Sequence, residues 1–191
     1  MSLADGARLA LAAVVCCVAG AGHAADTTAA VVVPLVNPGF EQPAVADQPI
    51  PGWDTPVHAD AHAYVFALDA DVHHRGSASA RITRTGHEPW GMISQALATL
   101  ALRGHTLELS AWMRTGNADG AGAMLVMRTM AHGAVDQYVF QDPTVAATTP
   151  WKRYSVRLAI PANSTSVVEI GVMLQGGGTL WVDDVELVEL R

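Results

Sequence analysis

The clearest pattern in this 191-residue chain is a period of two. Along residues 107–114, Leu107, Leu109, Ala111 and Met113 alternate with Glu108, Ser110, Trp112 and Arg114. Such alternation sends the apolar set to one face of a strand and the polar set to the other. Tyr154, Val156, Leu158 and Ile160 repeat the pattern against Arg153, Ser155, Arg157 and Ala159, and Pro161 closes that run. Residues 63–68, 78–83, 91–96, 123–128 and 137–141 are further strand candidates. Residues 171–175 and 180–190 flank Gly176, Gly177 and Gly178 and read as a hairpin. Residues 42–62, rich in Pro, Asp and Ala, read as a long loop with an anchored Trp53. No segment past residue 24 sustains a 3.6-residue period. Eight to ten short strands between turn signals predict an all-β sandwich of two antiparallel sheets.

One pair of residues breaks the pattern. Asp183 and Asp184 stand side by side in the middle of the last strand. Asp is disfavoured in strands, and a buried carboxylate is costly unless it is paired or bound to a metal. Alternation points at least one of the two inward, where it needs a partner.

Residues 1–24 have the form of a secretory signal peptide. Arg8 precedes an apolar run over residues 9–18, and Gly22, His23 and Ala24 supply small residues at the cleavage positions. The run is too short to span a bilayer. The expected organisation is a leader to residue 24, a linker over 25–30 and a single domain over 31–191, periplasmic or secreted. Both cysteines, Cys16 and Cys17, fall in the leader, so no disulfide is expected in the mature chain. The formal charge of −7, with no basic cluster, argues against nucleic acid and anionic membranes as partners.

Four motifs then occur in order: Leu35-Val36-Asn37-Pro38-Gly39-Phe40-Glu41, Pro51-Gly52-Trp53, Gly76-Ser77-Ala78-Ser79-Ala80-Arg81-Ile82, and Trp181-Val182-Asp183-Asp184-Val185. With them, the chain resembles the jelly-roll carbohydrate-binding modules of families 4 and 9 and their galactose-binding-like kin. The stretch from Gly91 to Asp184 also resembles jelly-roll domains found beside exported bacterial serine peptidases and in some regulators. The resemblance implies a jelly-roll β-sandwich and a non-catalytic, monomeric binding protein. It also implies a structural calcium ion held by Glu41 with Asp183 or Asp184. Calcium takes six to eight oxygen ligands, and such an ion would neutralise the buried acid. The competing reading is that these acids cap turns or pair with Arg.

Sugar-binding jelly rolls use a concave sheet face carrying aromatic rings and polar side chains. The matching set here is Ser110, Trp112 and Arg114 on one strand, Val126 and Arg128 on a second, and Tyr138, Phe140 and Gln141 on a third, with Trp90 and Gln95 at the rim. The related domains carry Trp where this chain has Val126, which removes one stacking surface. The bland alternative is that the 42–62 loop covers Trp112 and Phe140. His58, Asp60 and His62 share one face of an extended chain, but lack a fourth ligand for a transition metal. His73 and His74 read as an exposed turn. No nucleophile elbow, zinc-protease motif or phosphate loop is present. The ligand is therefore expected to be a carbohydrate, or else an exported protein for which this domain is a docking module.

Overall fold

In the computed structural model, residues 30–191 other than Thr99 and Gly133 are described. The expected leader lies outside them, as does all but the last residue of the expected linker. Among the described residues there are nine strands: β1 (Ala30–Val33), β2 (Tyr64–Asp69), β3 (Ser79–Arg84), β4 (Trp90–Ala98), β5 (Thr106–Ala131), β6 (Ala134–Phe140), β7 (Val145–Ala159), β8 (Val167–Gln175) and β9 (Thr179–Leu190). Their pairing is antiparallel throughout. This is the jelly-roll sandwich that the sequence predicts.

The organising element is β5, whose 26 residues serve both sheets. Its first half pairs with β9 on one side and β7 on the other, as in Leu109↔Leu187 and Leu109↔Val156. Its second half pairs with β8 and β6, as in Val126↔Gly171 and Val126↔Phe140. The first sheet runs β2-β3-β9-β5-β7, with β1 added along the end of β9; the second runs β4-β8-β5-β6. The change of sheet falls at Asn117, Gly120 and Gly122, all with positive φ. Sequence patterning divides β5 into two short strands because this stretch is rich in turn residues. The structure keeps pairing through it, with Ala118 opposite Ala147 and Ala123 opposite Val145.

The main core lies between the sheets. Leu107, Leu109, Ala111 and Met113 are fully buried there, as the alternation requires, and they pack with Leu125, Met127, Ile170, Val172, Leu174, Val182 and Leu187. The reversal expected at Gly176–Gly178 joins β8 to β9, but not as a hairpin. β8 pairs with β4 and β5 while β9 pairs with β1, β3 and β5, so the glycine turn carries the chain from the second sheet to the first.

The N-terminal motifs lock onto each other over the end of this core. Phe40 is fully buried and packs against Trp53 with ring centroids 5.5 Å apart. Trp53 Nε1 donates to the Asn37 carbonyl at 3.1 Å, and Asn37 Nδ2 donates to the Pro51 carbonyl at 2.9 Å. The 42–62 loop thus has its anchored Trp. Part of the loop also runs beside β4, through bridges from Asp54 to Ser94 and from Val57 to Gly91. Among the described residues, no helix is long and apolar enough to cross a membrane.

Candidate functional site at the Asp183–Asp184 bulge

The two adjacent acids form a bulge in β9. The register with β5 shifts between Ser110 and Trp112, and Asp184 takes a left-handed backbone with φ of 47°. A bulge re-aims consecutive side chains, and here it separates the two carboxylates. Asp183 stands opposite Trp112, next to the core pair Met113 and Val182, so it lies on the same outer face as Trp112; it is nevertheless only 1% exposed. Its Oδ2 accepts the backbone N–H groups of His74 at 2.8 Å and Arg75 at 3.0 Å, and its Oδ1 accepts the N–H of Asp184 at 2.8 Å. Burial pushes its pKa up, against the pull of these three donors. The partner demanded by the buried acid is therefore the backbone of the turn before β3.

Asp184 is the more exposed of the two. Its Oδ2 lies 2.7 Å from His74 Nδ1 and 3.7 Å from Arg75 Nε. The His74 ring stacks on Trp112, with centroids 3.9 Å apart and planes 15° from parallel, and Trp151 meets it edge-on at 5.9 Å. His74 is thus a half-buried element of the site rather than the exposed turn residue that its sequence context suggests.

A groove of about 530 Å³ opens beside this stack. Trp112, Arg75, Arg153, Asp184 and Glu186 supply its aromatic and charged lining, and the segment from Val32 to Leu35 supplies an apolar wall. Arg153 is held in place by Ser110 Oγ at 2.8 Å and by Glu186. The groove thus offers an indole, one face of which His74 already covers, with two guanidinium groups and two carboxylates as donors and acceptors around it.

Glu41 lies at the other end of the same turn. Its carboxylate accepts from Ser77 N at 3.0 and 3.1 Å, from Ser77 Oγ at 2.5 Å and from Ala78 N at 3.5 Å. The bond from the Ser77 hydroxyl is the main cause of its lowered pKa. All three acids named for calcium thus contact residues 74–78, and each is engaged by N–H or O–H donors. Among the described residues, no group of three or more His, Cys, Asp or Glu side chains is arranged to hold a metal. Of the His58, Asp60 and His62 set, His58 Nδ1 pairs with Glu88 at 2.7 Å and Asp60 caps the short turn at His62 N.

The ligand surface expected from the sequence divides between the sheets. Trp112 and Arg114 stand on the outer face of the first, where the Arg114 guanidinium lies 5.5 Å from the Trp181 ring centre. Trp90, Arg128, Tyr138 and Phe140 stand on the outer face of the second. Tyr138 and Phe140 are exposed, with ring centroids 5.8 Å apart, and Arg128 Nε binds Glu169 at 2.6 Å. The grouping of Trp112 with Arg128 fails because β5 changes sheet between them. Gln95 is not at a rim: it faces the core and clamps Val36, accepting from its N–H at 3.1 Å and donating to its carbonyl at 2.6 Å. Gln141 is also buried and donates to the Pro143 carbonyl at 2.5 Å. His74, Arg75, Arg153 and Glu186 join the site unforeseen. Arg153 had a signal, since it alternates outward on its strand just as Ser110 and Trp112 do on theirs.

No family model matches the chain. It is 29% identical over 146 residues to a protein of Bacillus subtilis (strain 168) described as the uncharacterized HTH-type transcriptional regulator YbfP, covering 73% of this chain and 48% of that protein. The chain thus spans about half the length of this curated relative. Among solved structures, it is similar to the CBM22-1 xylan-binding domain of Paenibacillus barcinonensis Xyn10C, with a TM-score of 0.57, 13% identity and coverage of 80% of this chain and 92% of that one. A family 4 carbohydrate-binding module matches with a TM-score of 0.55 at 21% identity, over 82% of this chain and 99% of that one. A cyclase from Fischerella sp. TAU, in complex with 4-(1H-indol-3-yl)butan-2-one, matches with a TM-score of 0.58 at 16% identity, over 84% and 98%. One fold here carries both binding modules and an enzyme, as common folds do. The chain has the jelly-roll fold of the carbohydrate-binding modules.

Proposed function

We propose that this protein is an exported, non-catalytic carbohydrate-binding protein whose ligand seats on the Trp112 side of the bulge groove. The observation that carries the reading is the groove itself: one ring of Trp112, with charged donors and acceptors around it. This narrows the sheet-face site expected from the sequence to the part that lies on the first sheet. Calorimetric titration against plant, microbial and cell-wall glycans tests it. Binding that falls at least tenfold in Trp112→Ala and survives in Phe140→Ala supports the groove, and the reverse moves the site to the second sheet. Flat titrations across the panel sink the carbohydrate reading.

The structural calcium belongs to the proposal as an ion that would draw Glu41, Asp183 and Asp184 away from their present donors. Thermal unfolding with calcium and with EDTA tests it, because a ligand of the native state raises the midpoint. A calcium-dependent midpoint that disappears in Glu41→Ala supports the ion. Equal midpoints, with no calcium by elemental analysis, remove it.

A second reading, a docking module for another exported protein, draws support from Val135, Tyr138, Phe140 and Val167, which leave apolar surface exposed on and beside β6. Recovery of one specific partner, lost in Phe140→Ala, would favour it over the groove.

A further inference from the structure

The outer face of the second sheet carries an apolar cluster separate from the main core. Met92, Met173 and Met124 stand directly opposite one another across β4, β8 and the second half of β5. With Val126 they form a buried group, against which Trp90 and Ala121 pack. Their exposures are 1%, 6% and 3%. Strand positions of this kind ordinarily favour β-branched and aromatic residues; here all three carry thioethers.

The next row contributes Gly171. A Cβ at that position would come within 3.0 Å of Met92 Sδ and 2.6 Å of the Ile93 carbonyl oxygen. The sulfur of Met92 therefore lies over a residue whose missing side chain gives it room.

We propose that Met92, Met124 and Met173 form a site for a soft monovalent metal ion, copper(I) or its analogue silver(I), beneath Trp90. Directly opposed residues of antiparallel strands have Cβ atoms about 4.5–5.5 Å apart, and Met has three rotatable bonds with which to bring its sulfur to a shared point. Thioether sulfur selects copper(I) over the harder divalent ions. The site is neutral and buried, so it suits a single charge better than a double one. Trp90 adds an indole ring, whose π face attracts cations. Both cysteines of the chain precede residue 30, so thioethers are the sulfur donors of the described residues. His58 meets Trp90 edge-on at 6.0 Å, but its Nδ1 is committed to Glu88. This site is independent of the carbohydrate groove, which lies on the other sheet.

The test is titration of the protein with silver(I), and with copper(I) kept reduced by ascorbate, in competition with a copper(I) chelator. The expected result is one equivalent bound, with quenching of tryptophan fluorescence and a raised unfolding midpoint. Met173→Leu and Met124→Leu nearly preserve volume, and each should lower silver(I) affinity at least tenfold. Met127→Leu, in the main core, should leave it unchanged. If Met173→Leu does not fold, Met124→Leu and Met92→Leu supply the same readout. Absence of one-to-one binding overturns the proposal. So does unchanged affinity in the Met→Leu variants, or displacement of silver(I) by stoichiometric zinc(II), which would mark a nitrogen site.

Discussion

His74 lies flat on Trp112 at a centroid distance of 3.9 Å while its Nδ1 meets Asp184 at 2.7 Å, so one side chain couples the bulge to the aromatic floor of the groove. Stacked ring pairs contribute about 0.5–1.5 kcal/mol beyond their buried area. His74→Ala should cost roughly 1 kcal/mol or more in denaturant unfolding, with a red-shifted tryptophan emission as one face of Trp112 is wetted. His74→Phe should recover the stability but not the contact to Asp184.

Asp183 and Asp69 should respond to pH in opposite directions. Asp69 is also buried, and burial raises its pKa. The Trp181 Nε1–H at 2.9 Å, the N–H groups of Asp71 and Val72 and the Arg81 guanidinium overcome that, and the net pKa is lowered. A lowered folded-state value means stability that is present above the ordinary aspartate value of about 3.9 and lost as pH falls through the folded value. Asp69→Asn should therefore flatten the acid limb of the stability profile below about pH 4. It should also cost about 1–3 kcal/mol at neutral pH through donors left unsatisfied. An unchanged acid limb would count against this assignment.

For Asp183 the folded value is raised above 3.8, so its contribution is greatest below that pH and declines as pH rises through the folded value. Asp183→Asn sets an amide N–H₂ against a backbone N–H and should destabilise the protein by about 1–3 kcal/mol. The variant should then regain ground on the parent as pH rises from about 4 towards the raised value. Denaturant midpoints of both proteins across pH 3–7 (roughly the titration range of such an acid) check the sign.

Gly122 marks where β5 changes sheet. Its φ is +77°, and an added Cβ would come 2.3 Å from the Val145 carbonyl oxygen. Gly122→Ala should lose at least about 1–3 kcal/mol from backbone strain alone. Gly39→Ala, whose added Cβ would come no nearer than 3.9 Å to Glu41 Cγ, should be close to neutral. Equal midpoints for the two variants would contradict the close approach of β5 and β7 at this turn.

The sandwich was readable because each alternating run carries its own inside and outside, as Leu107, Leu109, Ala111 and Met113 do. The site was less so. Residues 115–122 look like a loop, and only long-range pairing shows that they carry one strand from sheet to sheet. That crossing separates Trp112 from Arg128. His74 looked like a surface turn because Trp112 and Asp184, its partners, lie far along the chain. Gln95 looked like a rim residue because its partner is the backbone of Val36, 59 positions away. Period and composition report local environment, and each of these contacts is non-local.

The Asp183 contacts also set an order of events. They close loops of 108 and 109 residues onto a strand that lies between β3 and β5. Until residues 179–190 arrive, those neighbours have no partner for their facing edges. The first sheet is therefore completed only when β9 joins β2–β3 to β5–β7, with the entropy of large loop closure ahead of that step. A nascent chain that stops short of Thr179 can form β2–β3, β5–β7 and the second sheet, but it leaves the facing edges of β3 and β5 open, the kind of edge that a chaperone shields.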